Sequence, residues 1–218
     1  MEPRTEPLRV GERETTMTFY PAKRGFARLV LAPGAGANQA TPFLARIARD
    51  LAARGVDVTT FDFFYAAAKR RAIDPPAKLE ACYRAVIDRM PAPVFVGGKS
   101  MGGRIASQVV AAGAPAAGLV FLGYPLHPPG KPEVLRTAHW PKVGAPALFV
   151  QGTRDPFGGP AELAPHLPRL GAEARVLPIE GGDHSLAVPK RGATPQADVD
   201  ESIRATIVAW MREVLGGR

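Results

Sequence analysis

Pro93-Val94-Phe95-Val96-Gly97-Gly98-Lys99-Ser100-Met101-Gly102-Gly103-Arg104 is the stretch on which the fold turns. A β-branched and aromatic run ends in glycines, a serine stands among them, and a helical pattern opens on Met101, so these residues read as strand, very tight turn, helix. Gly98 and Gly102 flank Ser100 in the spelling G-x-S-x-G, the sequence form of a nucleophile elbow. A serine at such a corner occupies a sparsely populated backbone region. Side chains two positions to either side would meet the returning chain, and glycine is the residue that fits.

The same letters also spell the end of a phosphate loop. Gly98-Lys99-Ser100 matches G-K-S, but Pro93 stands where that loop needs its first glycine, and Val94-Phe95-Val96 is strand material that cannot wrap amides around phosphates. A nucleotide-binding protein is therefore the weaker reading. Lys99 is left as a tolerated residue at the variable position of the elbow.

Working outward, strongly apolar runs at 26–32, 56–61, 119–122, 147–150 and 174–179 alternate with amphipathic helical patterns. Thr41-Pro42 opens a helix that Gly55 ends, Pro75-Pro76 opens a second, and 197–215 buries Val199, Ile203, Ile207, Trp210 and Val214. Strands that are apolar at nearly every position predict a mostly parallel sheet covered on both faces, an α/β fold in a single domain over 1–218. Residues 15–19 alternate and stop before Pro21, which predicts an edge strand. Residues 1–13, charged and proline-bearing, are expected to be poorly ordered, with no apolar segment of the secretory kind.

A serine hydroxyl needs a base to take its proton, and that base needs an orienting acid. Ser100 follows the elbow strand, Asp155 follows the strand over 147–150, and His184 follows the strand over 174–179. That is the chain order serine, acid, histidine, each at a strand's carboxyl end. Asp183 adjoins His184 and would struggle to fold back onto its ring. His127, His139 and His166 follow no final strand, and no H-E-x-x-H or paired cysteines suggest a metal. No cofactor is expected.

Acyl transfer also requires donors aimed at the developing oxyanion. One is the amide of Met101, at the positive end of the helix that starts there. Ala35, between Gly34 and Gly36 in the loop after 26–32, is the second choice of donor. Gly34-Ala35-Gly36 also opens a dinucleotide-type G-x-G-x-x-G, but the sixth position is Gln39. Phe63, Phe64, Tyr65, Tyr124, Leu126 and Phe157 fall in loops at the same end of the sheet and are expected to wall a substrate pocket.

Composition narrows the partners. The 218 residues are 46% hydrophobic and 22% charged, ordinary values for a globular domain. The formal net charge of +8 is spread in ones and twos, with Lys69-Arg70-Arg71 the densest cluster, so no nucleic-acid partner is expected. No run approaches the roughly 18 apolar residues of a membrane span. A single cysteine, Cys82, suits a reducing cytoplasm.

With these motifs in hand, the chain resembles the small α/β-hydrolases near dienelactone hydrolase. The resemblance rests on residues 98–104, on Gly152-Thr153-Arg154-Asp155-Pro156-Phe157-Gly158 and on Gly181-Gly182-Asp183-His184. Gly123-Tyr124-Pro125-Leu126-His127-Pro128-Pro129-Gly130 is similar to a bacterial branch that also resembles a domain in a subunit of a chromatin acetyltransferase complex. The resemblance implies Ser100, Asp155 and His184 as nucleophile, acid and base; the connection between 122 and 147 is too short for a full helical lid domain. Dienelactone hydrolases carry cysteine where Ser100 stands, and Pro33 replaces a histidine common before the oxyanion glycine; the first departure argues against that reaction. The expected function is hydrolysis of an ester-like bond in a small acyl substrate. A catalytically idle interaction module is the alternative.

Overall fold

The alternation of buried strands with amphipathic helices requires a sheet covered on both sides, and the computed structural model, which describes residues 2–191 and 194–217, has one. Eight strands run β1 (Arg4–Val10), β2 (Arg13–Tyr20), β3 (Ala27–Ala32), β4 (Val56–Phe61), β5 (Phe95–Lys99), β6 (Leu119–Leu122), β7 (Ala147–Gly152) and β8 (Ala174–Ile179). Their spatial order is β1-β2-β4-β3-β5-β6-β7-β8. The strands from β4 to β8 are parallel, and β1 and β2 are antiparallel additions.

The helices are α1 (Pro42–Ala52), α2 (Phe64–Ala67), α3 (Pro76–Ile87), α4 (Met101–Ala111), α5 (Pro160–Leu163) and α6 (Gln196–Gly216). On one face, Leu79, Tyr83 and Val86 of α3 and Ile105 and Val109 of α4 pack against Val30, Val96 and Phe121. On the other, Leu44, Ile47 and Leu51 of α1 join Ile203, Ile207 and Trp210 of α6 over Leu29, Leu31, Val58 and Phe95. Burying strand side chains on both faces explains why β3, β5 and β6 carry almost no polar residue.

Two expectations are corrected at the sheet's margin. Residues 4–10 are not loose: they form β1, paired with β2 from Arg4↔Phe19 to Val10↔Arg13, and Thr5 and Thr18 meet through their hydroxyls at 2.9 Å. β2 in consequence is not an edge but lies between β1 and β4. Only Leu8 of β1 is buried, so hydropathy conceals the strand; the local signal is Gly11-Glu12, a two-residue turn whose glycine has φ +61°.

The connection from β6 to β7 is no lid. It holds one 3-10 turn, Trp140–Lys142, and Trp140 is fully buried, donating its Nε1–H to the Tyr124 hydroxyl at 3.0 Å. No helix among the described residues is long and apolar enough to cross a membrane.

Candidate active site

The elbow forms where its glycines require it. Ser100 stands at φ +50°, ψ −117°, between β5 and α4. A Cβ on Gly98 would lie 2.4 Å from the Ala32 carbonyl oxygen, and one on Gly102 would lie 2.5 Å and 2.6 Å from the Ala32 and Pro33 carbonyl oxygens. Any side chain at either position would push β3 and its following loop away from the serine.

Three side chains from separate strand ends meet there. Ser100 Oγ lies 2.8 Å from His184 Nε2, and His184 Nδ1 lies 2.8 Å and 3.0 Å from the two oxygens of Asp155. A carboxylate only accepts, so Nδ1 carries the ring proton, Nε2 is the acceptor, and the serine hydroxyl donates to it. Asp155 is buried, while His184 keeps 21% of its side chain exposed, enough for a reactant to approach the serine from solvent. Phe157 packs its ring against the imidazole, with centroids 4.2 Å apart.

Asp155 is held by more than its histidine. The Phe157 amide donates to Oδ1 at 2.8 Å, and Gln151 Nε2 donates to Oδ2 at 2.9 Å. Gln151 is fully buried; its Nε2 also lies 2.6 Å from the Gly158 carbonyl, and its Oε1 accepts from the Tyr124 amide at 2.8 Å. The glutamine thus joins the ends of β6 and β7 and the loop that carries the acid. Asp183 has a different task, capping the histidine loop by accepting from the amides of Ser185 at 2.7 Å and Ala187 at 3.0 Å.

The loop after β3 is anchored from below. Tyr65 accepts from the Gly36 amide at 3.0 Å, and Asp62 accepts from the Gln39 amide at 2.7 Å. Gln39, the residue that breaks the dinucleotide spelling, is buried and bonded to Thr16 and Thr60. Burial pushes the Tyr65 hydroxyl's pKa up from its ordinary value, so it serves as a neutral brace. Ala35 is exposed at the turn of this loop, and a Cβ on neighbouring Gly34 would fall 3.7 Å from Ser100 Cβ, which brings this backbone up against the nucleophile.

Of the six expected pocket walls, five are buried. Phe63, Phe64, Tyr65, Tyr124 and Leu126 lie in the core, Phe64 and Tyr65 on α2 with Phe63 as its N-cap, and Tyr124 donates its hydroxyl to the Arg136 carbonyl at 2.8 Å. Phe157 alone stays beside the site. Cavities of about 970, 510 and 550 Å³ lie elsewhere, the largest between Tyr20, Lys23, Arg24, Arg49 and Arg212.

Lys99, read from the sequence as a tolerated residue at the variable position, has a partner of its own. Its side chain is largely buried, and Nζ donates to the His184 main-chain carbonyl, which leaves it unsuited to cradle a phosphate. Two of the other histidines are bonded away from the site: His127 Nε2 lies 3.1 Å from Glu162 Oε2, and His139 Nε2 lies 2.7 Å from Ser107 Oγ.

This geometry agrees with comparison against known proteins. Residues 25–212 match the family described as alpha/beta hydrolase domain. The chain belongs to that family. As an α/β-hydrolase it is similar to a dienelactone hydrolase from Anabaena variabilis, at 18% identity and a TM-score of 0.76, with 97% of each chain covered. It is also similar to an α/β serine hydrolase without a lid from Xanthomonas campestris, at 16% identity and a TM-score of 0.71 over 96% of this chain and 95% of that one. An esterase domain of a Rhodothermus marinus protein matches at 16% identity and a TM-score of 0.74, over 98% and 99%. At such identities the likeness establishes the α/β-hydrolase fold.

Proposed function

We propose that the 218 residues act as one serine hydrolase domain, cleaving carboxylic ester or thioester bonds of small acyl substrates through an acyl-enzyme. The observation that carries this reading is the hydrogen-bonded chain from Ser100 through His184 to Asp155. As Ser100 Oγ attacks the acyl carbon, its proton passes to His184 Nε2, and Asp155 stabilises the imidazolium that forms. The carbonyl electron pair moves onto oxygen, where the Met101 and Ala35 amides would donate to it. Collapse breaks the bond to the leaving group, which takes the proton from His184. Water, deprotonated by the same histidine, then releases the acid and restores Ser100.

The structural neighbours support this reading as a class, since those named above are a dienelactone hydrolase, a serine hydrolase and an esterase domain. The spelling of residues 123–130 supports placement in the branch related to the chromatin acetyltransferase subunit. A buried, unpaired Cys82 fits a cytoplasmic setting.

A fluorophosphonate probe tests the reading. It should label the folded wild-type protein and fail to label Ser100→Ala, while a series of p-nitrophenyl esters of graded acyl length should show turnover that the variant lacks. Absence of both labelling and turnover in well-folded wild type would overturn it.

A further inference from the structure

Lys99 occupies the variable position of the elbow, where nothing in G-x-S-x-G asks for a lysine. Its side chain nevertheless reaches across the site. Its stem passes the loop after β3, with a Cβ on Gly34 falling 3.8 Å from Lys99 Cγ, and its Nζ ends on the main-chain oxygen of His184, 85 residues later in the chain. The end of β6 makes room for that link. Gly123 has φ +71°, and a Cβ there would lie 2.9 Å from the His184 carbonyl oxygen and 3.1 Å from Lys99 Nζ. One side chain thus spans from the strand end that carries the nucleophile to the loop that carries the base, through a slot kept open by a glycine.

We propose that Lys99 is a positioning residue: it ties the His184 main chain to the strand end bearing Ser100 and so sets the 2.8 Å approach of base to nucleophile. This rests on the serine-hydrolase reading above. The histidine loop has no other direct side-chain link to β5 among the described hydrogen bonds, since Asp155 orients the ring from β7. Without Lys99, the loop would be placed from β7 and from α6, where Gln196 accepts from the Val188 amide at 2.9 Å and donates to the Leu186 carbonyl at 3.2 Å, and the ring could drift from Ser100 while keeping its bond to Asp155. Interactions that hold reacting groups in register are felt chiefly in the chemical step.

The surroundings of the ammonium add a pH signature. Burial pulls Lys99 down to about 8, against the opposing pull of Asp155 and Asp183, and His184 is the third titratable group facing it. Below that pH the bond to the carbonyl is charge-assisted, and above it a neutral amine donates more weakly.

The test compares wild type with Lys99→Met, which keeps the stem without the donor, and Lys99→Arg, which keeps a charged donor. Rates are normalised to folded protein by circular dichroism and measured with p-nitrophenyl acetate from pH 6 to 10. In parallel, the downfield Nδ1–H proton resonance of His184 is followed by NMR, a readout that needs no turnover. Lys99→Met should lower kcat roughly tenfold or more, a loss of about 1.4 kcal/mol of barrier lowering, with KM within about twofold. It should broaden or shift the His184 resonance and lack the decline that wild type shows above about pH 8. Lys99→Arg should restore most of kcat and carry that decline to higher pH. Wild-type kcat and an unmoved resonance in Lys99→Met would overturn the proposal. So would a kcat loss that Lys99→Arg shares in full with an unmoved resonance. A wild-type protein with the resonance but neither turnover nor fluorophosphonate labelling would overturn the hydrolase reading instead, and the resonance in Lys99→Met would still decide the tether.

Discussion

The hydroxyl of Tyr83 on α3 inserts against the backbone of Gly97 in β5. It accepts from the amide of Gly97, three residues before Ser100, at 2.9 Å, and lies 2.7 Å from the Gly97 carbonyl and 3.1 Å from the Val30 carbonyl. A hydroxyl has one proton and two lone pairs, so it can satisfy the buried amide and one carbonyl together. Burial drives its pKa upward, and it remains a neutral phenol at any ordinary pH. Removing the oxygen in Tyr83→Phe deprives the buried Gly97 amide and carbonyl of this partner. We expect a loss of about 1–3 kcal/mol in stability, read as a lower urea midpoint with unchanged slope; an unchanged midpoint would count against the account.

Gln151 should matter to rate as well as to stability. Its amide donates to Asp155 Oδ2, and no bulk water reaches that position to replace it. In Gln151→Leu the acid keeps its bond from Phe157 but loses the lateral one, so the imidazole loses part of its orientation. Ester turnover should drop roughly tenfold, with KM little altered. Gln151→Glu should be worse, because two carboxyl groups at this separation cannot both ionise freely and Asp155 would share a proton. Equal activity of the two variants would argue that the side chain is only packing.

Gly102→Ala tests the elbow sterics directly. The added methyl would sit 2.5 Å from the Ala32 carbonyl oxygen and 2.6 Å from that of Pro33, and both are backbone. Overpacking of this kind costs about 1–3 kcal/mol. Because the strain is relieved by shifting the loop that carries Ala35, fluorophosphonate labelling should slow by a larger factor than stability alone would imply. Labelling at the wild-type rate would show that this loop does not contribute a donor.

His139 predicts an acid-sensitive component of stability. Burial, with the Arg104 charge second, pulls its pKa down to about 4, and Nε2–H donates to Ser107, whose own proton goes to the Arg104 carbonyl. The folded state therefore binds fewer protons than the unfolded chain between about pH 6.5 and 4. The stabilisation is complete above that window and is lost as pH falls through it. After discounting for the ring's partial exposure, the effect is on the order of 1–2 kcal/mol. Urea midpoints of wild type and His139→Gln should converge as pH falls from 7 to 4, and a constant difference would refute the assignment.

Much of this protein is legible without coordinates because the deciding terms are local. The steric demand for glycine around Ser100, the unbroken apolar runs of β3, β5 and β6, and the placement of Asp155 and His184 just beyond strands act within a few residues, so they leave a mark in the sequence. What escaped depends on approach through space. β1 is held by its ladder to β2 and shows almost no hydropathic pattern. Phe63, Phe64, Tyr65, Tyr124 and Leu126 sit where pocket residues would, but the direction in which each side chain turns is decided by α2 and by the packed 123–146 connection. Gln151 reads as one more strand residue until Asp155 folds back over it.

The elbow itself marks the division. From sequence alone, the spelling around Ser100 determined a strand-to-helix corner with the serine at its tip, because glycines at 98 and 102 are what that close approach of backbone permits. The use of the lysine beside it was decided by the tertiary structure alone, because His184 comes within reach of Lys99 only when β5 and β8 take their places in the same sheet.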